Sequence, residues 1–317
     1  MKALTLNEVA TYLKEHNNYV ILTHRRPDGD TTGSGAALCR GLRTLGKEAW
    51  VFENSQFTPK TFSYVDGLTV PEIPADATLI SVDIATERLF PENGDWAERQ
   101  VDLLLDHHGS NTAFAQMGYI DPGAAACGEI VLDLLILMGV EPNKEIAEAI
   151  YVAISTDTGC FRFSNTTANT LMAAATCKKW GADTFTINRT FFMTKRPARL
   201  KLEAHLANST EFFGDGKVAI TLLSQQIRRE LGITQDDIDD ISGFGREIEG
   251  VEIAAMIREE AEGGRISLRT SPNYDASSVC EQLGGGGHRA AAGATVVGGM
   301  EEAKEAVLRI LTEMGMI

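Results

Sequence analysis

The fold of this chain is decided by one stretch, Thr23-His24-Arg25-Arg26-Pro27-Asp28-Gly29-Asp30-Thr31-Thr32-Gly33-Ser34. An apolar run at residues 19–22 precedes it and predicts a buried strand, and an apolar-periodic segment at residues 36–45 follows it and predicts a helix. The stretch therefore places one histidine and two aspartates on a loop at the carboxyl end of a strand, where open α/β sheets bind their ligands. Taken alone, Asp28 and Asp30 are equally typical of a turn or a helix cap, so a site here needs ligands from other strand ends.

The composition limits the possible functions. The chain has 317 residues, of which 44% are hydrophobic, and this is enough apolar sequence to form the cores of two domains. The formal net charge of −15 disfavours long-range attraction to duplex DNA. A polyanionic substrate must therefore be small, or must be held locally by metal ions and a few arginines.

Other features of the sequence concern the compartment. No apolar run reaches 18 residues, so no membrane span is expected. The first residues lead directly into an amphipathic helix with a capping box at Thr5 and Glu8, without the apolar region of a signal peptide. The five cysteines are dispersed, which favours reduced thiols over disulfides or a zinc cluster. We therefore expect a cytoplasmic protein.

The pattern of strands and helices predicts an α/β protein with two domains. Residues 1–190 alternate short apolar strands with helices, which indicates a mainly parallel, doubly wound sheet. Its strands are expected at residues 19–24, 49–52, 79–84 and 101–106, and its helices at residues 7–16, 34–45, 129–138, 144–154 and 167–180. The segment at residues 150–154 is also compatible with a fifth strand.

A different pattern follows in the second half of the chain. Residues 191–213 are rich in lysine and arginine and predict a helical connector. Residues 214–317 predict a smaller α+β domain, with a hairpin turn at residues 262–264. Its strands are expected at residues 218–223, 251–258, 265–269 and 294–297, and its last helix at residues 301–314.

Acidic and histidine side chains follow several of the predicted apolar segments. Asp83 ends one run, Asp106-His107-His108 ends the next, and Asp157 lies beside Gly159 after a further segment. Parallel strands end at the same edge of a sheet, so these residues should meet the first stretch there. The expected set comprises His24, Asp28, Asp30, Asp83, His107 and Asp157.

This set of side chains predicts a metal site. Imidazole and carboxylate ligands without a thiolate suit Mn²⁺ first, with Mg²⁺, Co²⁺ or Fe²⁺ as alternatives. Six ligands are too many for one ion with an open position, but they suit two ions that share a carboxylate. Such a pair activates water and clamps a phosphoryl group, which favours hydrolysis of a phosphate ester.

The motifs also resemble a known family. The pattern His24-x-x-Pro27-Asp28-x-Asp30-x-x-Gly33-Ser34, followed by Asp83, then Asp106-His107-His108, then Asp157-x-Gly159, resembles the four motifs of the DHH phosphoesterase superfamily. The run from Gly284 to Gly293 is similar to the glycine-rich motif of the DHH-associated domain. The nearest match is the NrnA-like branch, whose members are oligoribonucleases that also act on 3′-phosphoadenosine 5′-phosphate.

The resemblance implies a role for each motif residue. His24, Asp28 and Asp83 would hold one metal ion, and Asp30, Asp83, His107 and Asp157 the other, with Asp83 as the bridge. His108 would face the substrate phosphate as a hydrogen-bond or proton donor. Asp106 would orient a histidine ligand, or would be a plain acid at a strand end.

The substrate side of the site is expected in the second domain. Gly285, Gly286 and Gly287 lack side chains, so their amides could approach a phosphate, and His288 adds a donor. Arg269 is suited to bind a phosphate with two hydrogen bonds. The alternatives are a flexible loop for the glycines and an exposed edge-strand residue for Arg269.

A cleft between the two domains would select short, single-stranded RNA, because both ends of the substrate would be held. The aromatic residues of Phe161-Arg162-Phe163 would stack on a base in such a cleft, or would belong to the core. The apolar helix at residues 130–138 would contribute to a homodimer or, more simply, to the core.

The resemblance implies a Mn²⁺-dependent enzyme that degrades short oligoribonucleotides to 5′-mononucleotides and dephosphorylates 3′-phosphoadenosine 5′-phosphate. Hydrolysis of cyclic or linear dinucleotides is the alternative. An inorganic pyrophosphatase shares the four motifs but lacks a loop like Gly284–His288, and a RecJ-like exonuclease needs an additional domain. A non-catalytic nucleotide-binding module should have lost ligands, whereas here every motif position is filled.

Overall fold

A computed structural model describes residues 1–96, 99–141, 143–234, 237–238 and 241–317. The chain forms two compact units, Met1–Thr194 and Lys195–Ile317. The first contains a parallel sheet with helices and the second a mixed sheet with helices, so the predicted α/β fold class is confirmed. Within the described residues, no helix combines the length and the apolar character needed to cross a membrane.

The first unit is built on a seven-stranded sheet in which all adjacent strands are parallel. Its strands are β1 (Lys2–Ala3), β2 (Tyr19–Leu22), β3 (Ala49–Phe52), β4 (Thr69–Val70), β5 (Thr78–Val82), β6 (Leu103–Asp106) and β7 (Met117–Ile120). The order across the sheet is β1-β7-β6-β5-β2-β3-β4. The chain therefore builds outward in one direction from β2 and in the other from β5, and the topological switch point lies between these two strands. Ligand sites of open α/β sheets lie outside the carboxyl ends of the strands at such a point.

The α-helices of the first unit pack on one face of this sheet, whereas Leu89 of a short 3₁₀ helix (Glu87–Leu89) packs on the other face. They are α1 (Leu6–Glu15), α2 (Gly29–Thr44), α3 (Pro59–Val65), α4 (Cys127–Met138), α5 (Lys144–Asp157), α6 (Ala168–Lys179) and α7 (Thr184–Asn188), and a short π-helix (Arg189–Met193) follows. The main core lies between these helices and side chains such as Ile21, Ile80 and Leu105. A second core on the other face contains Leu22 and Leu104 together with Phe90. The segment at residues 150–154 lies inside α5 and is not a strand.

Helix α2 begins five residues earlier than the sequence predicts. Asp28 caps it, because its Oδ1 accepts hydrogen bonds from the amides of Asp30 (2.9 Å) and Thr31 (3.2 Å). A glycine on this helix, Gly33, allows close packing against α5, since a Cβ there would lie 2.2 Å from the carbonyl oxygen of Ala149. The early start places Asp30 in the first turn of α2, and the close packing brings that turn toward the end of α5.

The second unit is built on a six-stranded mixed sheet with the order β12-β13-β11-β10-β9-β8. Its strands are β8 (Glu211–Phe213), β9 (Val218–Leu223), β10 (Ile253–Glu260), β11 (Gly263–Thr270), β12 (Gly286–His288) and β13 (Ala291–Val296). Only the β9–β10 pair is parallel among these strands. Strands β10 and β11 form the predicted hairpin, but Glu260 pairs with Gly263, so the turn lies at residues 261–262 and the two glycines predicted in it begin β11.

Helices cover both faces of the second sheet. They are α8 (Pro197–Ser209), α9 (Gln225–Glu230), α10 (Ala276–Glu281) and α11 (Met300–Glu313), with a 3₁₀ helix at Ile241–Glu247. Helices α10 and α11 pack on the face that carries Ile266 and Leu268. Helix α8 and the 3₁₀ helix pack on the opposite face around Met256.

The predicted connector at residues 191–213 differs from the structure. The two units divide between Thr194 and Lys195, so most of this segment belongs to the second unit. Leu202 and Leu206 lie one turn apart on α8 and are fully buried, and residues 211–213 form a strand. The many charges of the segment conceal this short apolar stripe in the sequence, because charged residues such as Lys201 and Glu203 flank Leu202 along the chain.

Candidate active site

Six predicted side chains lie together at the carboxyl edge of the first sheet. They come from the loops after β2, β5 and β6, from the first turn of α2 and from the last residue of α5. We call them the acidic edge: His24, Asp28, Asp30, Asp83, His107 and Asp157.

The acidic edge consists of two clusters that share Asp83. In the first cluster, His24 Nε2 lies 3.4 Å from Asp28 Oδ2 and 3.7 Å from Asp83 Oδ2. In the second, His107 Nε2 lies 3.4 Å from Asp83 Oδ1, 3.7 Å from Asp30 Oδ2 and 3.6 Å from Asp157 Oδ2. The two oxygens of Asp83 therefore face different clusters.

These distances fit two metal ions better than a hydrogen-bonded network. Most N–H···O hydrogen bonds measure about 2.7–3.2 Å, whereas two ligands each bound at about 2.0–2.2 Å lie up to about 4 Å apart across one ion. Asp83 Oδ1 is buried and has no hydrogen-bond partner among the described residues, which is costly unless a cation faces it. The ligand atoms of His24, Asp28 and Asp83 lie within 4.8 Å of one another, as do those of Asp30, His107 and Asp157, and Asp83 forms a third such group with Asp106, His107 and His108.

Backbone carbonyls orient the two histidines of the acidic edge. His24 Nδ1 lies 2.8 Å from the carbonyl oxygen of Arg25, and His107 Nδ1 lies 3.2 Å from that of Ala124. When Nδ1 of each ring carries the proton and donates a hydrogen bond to the carbonyl oxygen, Nε2 is unprotonated and faces the carboxylates. Histidine ligands of metals are commonly fixed in this way.

Asp30 is held by a helix that is distant in the sequence. It is 1% exposed, and its carboxylate accepts hydrogen bonds from the amides of Cys127 (2.7 Å) and Gly128 (3.0 Å) at the start of α4. Ser34 Oγ donates a third hydrogen bond at 3.0 Å. The helix N-terminus favours the charged carboxylate. Sequence reasoning missed the part played by α4, because no local pattern around Cys127 indicates it.

Asp106 supports His108. It is fully buried, and its Oδ1 lies 2.8 Å from His108 Nδ1 and accepts a hydrogen bond from the amide of His107. Asn111 Nδ2 donates to its other oxygen. Both oxygens are thus already engaged. Asp106 therefore orients the ring of His108, whereas the resemblance implies that it orients a metal-binding histidine.

The electrostatics of the acidic edge also favour cations. Burial, together with the neighbouring carboxylates of Asp83 and Asp28, raises the pKa of Asp157 to about 7, against the lowering effect of His107. Burial and the charges of Asp83 and Asp157 likewise raise the pKa of Asp30 well above its usual value. Burial alone would lower the pKa of His107, but the carboxylates of Asp83 and Asp30 outweigh it and raise that pKa to about 10. Without a cation, Asp30, His107 and Asp157 therefore bind protons more readily than such side chains usually do.

The glycine run of the second unit is an edge strand, not a flexible loop. We use the name glycine strand for Gly285 together with β12. A Cβ at Gly285 would lie 2.1 Å from the carbonyl oxygen of Gly293 on β13, and Gly287 has a φ of +151°. Gly285 and Gly287 are therefore required by close packing against β13. Gly286 has open space beside it, since no atom of the described residues lies within 4 Å of a Cβ built there.

Arg269 and His288 lie in one row across three strands. Arg269 on β11 pairs with Ala291 on β13, which pairs with His288 on β12, so the three side chains share a face of the sheet. Strand β11 lies between two other strands, and Arg269 is not an edge residue. The Nη2 of Arg269 donates a hydrogen bond to Ser242 Oγ at 2.9 Å, and this hydrogen bond fixes the position of the guanidinium.

Comparisons with known proteins agree with these motifs. The DHH family, N-terminal domain, matches residues 18–154, and the DHHA1 domain matches residues 215–314. The bifunctional oligoribonuclease and PAP phosphatase NrnA of Thermus thermophilus is 36% identical over 299 residues, which cover 92% of this chain and 89% of that protein.

Two solved structures share the fold. An exopolyphosphatase-related protein from Bacteroides fragilis has a TM-score of 0.84 at 23% identity and covers 97% of this chain and 96% of its own. RecJ from Thermus thermophilus in complex with Mn²⁺ has a TM-score of 0.52 at 14% identity, with 98% of this chain and 55% of that one covered.

Proposed function

This chain belongs to the DHH family, in its NrnA-like branch, and we propose that it is a two-metal phosphoesterase of short nucleotides. It would degrade short oligoribonucleotides to 5′-mononucleotides and remove a phosphate from 3′-phosphoadenosine 5′-phosphate. The observation that carries this proposal is Asp83, whose two buried oxygens face two separate ligand clusters. The similarity to the bifunctional oligoribonuclease and PAP phosphatase of Thermus supports the choice of substrates.

The acidic edge would hold the metal ions. His24, Asp28 and Asp83 would bind one ion, and Asp30, Asp83, His107 and Asp157 the other. Oxygen and imidazole ligands favour Mn²⁺, with Mg²⁺, Co²⁺ or Fe²⁺ as alternatives. When bound, two such ions supply an activated water and a clamp for the phosphoryl group.

His108 would assist the leaving group. Its Nδ1 is engaged by Asp106 at 2.8 Å, so Nε2 is the atom that would donate a proton to the leaving oxygen. Burial lowers the pKa of His108, but the hydrogen bond and charge of Asp106 outweigh burial and raise it, so the ring keeps its proton more readily near neutral pH. Asp83 and His108 are thus the proposed catalytic residues.

The second unit would bind the substrate away from the reacting phosphate. Arg269 and His288 lie in one row and offer donors to an anion, and Gly285, Gly286 and Gly287 leave the surface beside them without side chains. Charge-assisted hydrogen bonds from arginine to phosphate are short and directional. A few such donors suit a short substrate in a chain whose net charge is −15.

A hydrolysis panel with Mn²⁺ tests this function. We would compare a dinucleotide, a five-residue RNA, a long RNA, duplex DNA, 3′-phosphoadenosine 5′-phosphate, a cyclic dinucleotide and pyrophosphate, with Asp83→Asn as the inactive control. Fast turnover of the short RNAs and the bisphosphate, with pyrophosphate inert, is the expected result. Dominant hydrolysis of pyrophosphate or of the cyclic dinucleotide would overturn the substrate assignment, and no turnover of any substrate would overturn the enzymatic role.

A further inference from the structure

An unusual backbone segment directly follows Asp157. Gly159, Cys160 and Phe161 have φ values of +56°, +58° and +64°, so three consecutive residues adopt the left-handed conformation. Two of them carry side chains, for which this conformation is uncommon. A backbone of this kind persists only where the surrounding structure enforces it, and it is concentrated at functional sites.

Thr158 holds this turn in place. It is fully buried, and its carbonyl oxygen accepts hydrogen bonds from the amides of Arg162 and Phe163, both at 3.0 Å. Its hydroxyl oxygen accepts a hydrogen bond from the amide of Phe161 at 3.1 Å. Asn165 Nδ2 lies 3.1 Å from the carbonyl oxygen of Asp157 and donates to it. The turn is therefore fixed to the end of α5 that carries Asp157.

The two phenylalanines of the turn face opposite environments. Phe161 packs against the core of the first unit, and its ring lies 5.9 Å from that of Tyr151. Phe163 is 56% exposed. Its ring tip lies against Gly159, because a Cβ on that glycine would be 2.4–2.7 Å from Cζ, Cε1 and Cε2. The turn thus buries one aromatic ring and presents the other to solvent on a fixed backbone.

The exposed ring touches a residue that is close to the acidic edge along the chain. That residue, Gly159, is two residues from Asp157, so the Cα atoms of the two lie at most about 7 Å apart. This is the length scale of one nucleotide. The ring contributes little to the core at this exposure, and a fixed aromatic surface beside a phosphate site is suited to stack a nucleobase.

We propose that Phe163 is a specificity-determining residue that stacks on the base of the nucleotide whose phosphate lies at the acidic edge. This inference rests on the proposed function and deepens it. The Phe163 ring would make the enzyme prefer substrates in which the phosphate belongs to a nucleotide with a base. Arg162 would stabilise the turn, because its Nε donates a hydrogen bond to the carbonyl oxygen of Gly159 at 2.7 Å.

Matched substrates separate stacking from a structural effect. The test uses the full-length, Mn²⁺-loaded protein with a dinucleotide and with its two abasic forms, in which one or the other base is replaced by hydrogen. Phe163→Ala should raise KM for the intact dinucleotide about 5- to 150-fold. It should leave KM unchanged for the abasic form that lacks the stacked base, and Phe163→Trp should restore the wild-type value.

Phe185→Ala is the matched control, because Phe185 is 65% exposed on α7 of the same unit and has no assigned role. It should not change KM for any of the three substrates. An equal effect of Phe163→Ala on the intact and on both abasic dinucleotides, or no effect at all, would overturn the stacking role while the proposed function stands. If the wild-type protein does not hydrolyse the dinucleotide, the proposed function fails first.

Discussion

The acidic edge and the glycine strand each lie at a sheet, but they are built in opposite ways. In the acidic edge, charged side chains meet at 3.4–3.7 Å, and Asp30 and Asp83 are almost fully buried. In the glycine strand, the absence of side chains allows close strand packing, and His288 is exposed. Substitutions should therefore affect catalysis and metal binding in the first region, and substrate binding and strand packing in the second.

The largest effect is expected for Asp83→Asn. Asparagine keeps the size of the side chain and tolerates the φ of +58° at this position, but it removes the charge that faces both clusters. We expect kcat to fall at least about 10³-fold, since several kcal/mol of transition-state stabilisation depend on the metal pair. Calorimetric titration with Mn²⁺ should show weakened binding of both ions.

Asp66→Asn is the control for this change, because Asp66 is exposed at the end of α3. It should leave both activity and metal binding as in the wild type. Ordinary turnover by Asp83→Asn would contradict the two-metal arrangement and would remove the contrast between the two regions.

A smaller effect, on KM and not on kcat, is expected for Arg269→Ala. The guanidinium is fixed by Ser242 and shares a row with His288, so its loss should remove a charge-assisted contact to the substrate. A loss of about 1.5–3 kcal/mol corresponds to a rise in KM of about 10- to 150-fold. Steady-state kinetics on the short RNA would measure it.

The control for Arg269→Ala is the affinity for Mn²⁺, which should not change. His288→Ala should raise KM in the same direction by about 10-fold or less. Equal loss of metal binding and substrate binding would mean that Arg269 acts on the whole protein and not on the substrate.

The glycine strand can be tested by its stability. Gly285→Ala would force a Cβ to within 2.1 Å of the carbonyl oxygen of Gly293, whereas Gly286→Ala would meet open space. We expect the first substitution to lower the free energy of unfolding by about 1–3 kcal/mol and the second to change it by at most about 0.5 kcal/mol. Thermal unfolding measured by circular dichroism distinguishes them. Identical stabilities of the two variants would show that close packing is not the reason for a glycine at position 285.

The smallest effect concerns the pH dependence of metal binding. Asp157 and His107 have pKa values of about 7 and about 10 without a cation, and both must lose protons to become ligands. These values lie above the usual ones, so the metal-free protein loses stability as the pH rises through about 7 toward 10. The Mn²⁺-loaded protein keeps these ligands deprotonated and avoids this loss.

The rise in Tm on adding Mn²⁺ should therefore be a few degrees larger at pH 8 than at pH 6. Differential scanning fluorimetry at fixed free Mn²⁺ would measure it, with Asp83→Asn as the variant in which the pH dependence should disappear. A larger rise in Tm at pH 6 would contradict the assignment of Asp157 and His107 as proton-releasing ligands.

Most residues of the acidic edge can be predicted from the sequence, because the signal for each of them lies in the residues next to it. Each ligand follows or begins a segment whose apolar pattern indicates a strand or a helix, and parallel strands end at one edge of their sheet. The positions of Asp83 after β5 and His107 after β6 follow directly from this rule. The pattern also predicts the α/β class and the hairpin at residues 262–264.

Tertiary structure decided the features that depend on contacts between distant parts of the chain. The amide of Cys127 donates a hydrogen bond to Asp30, which is 97 residues away in the sequence. Gly285 must be a glycine because β13 packs closely against it. Phe161 and Phe163 are two residues apart in similar local sequence, yet one is packed in the core and the other is exposed. Local sequence patterns determine which side chains each strand, helix or loop carries. Which of these side chains come into contact depends on hydrogen bonds and packing between distant segments, and these interactions form only when the chain folds.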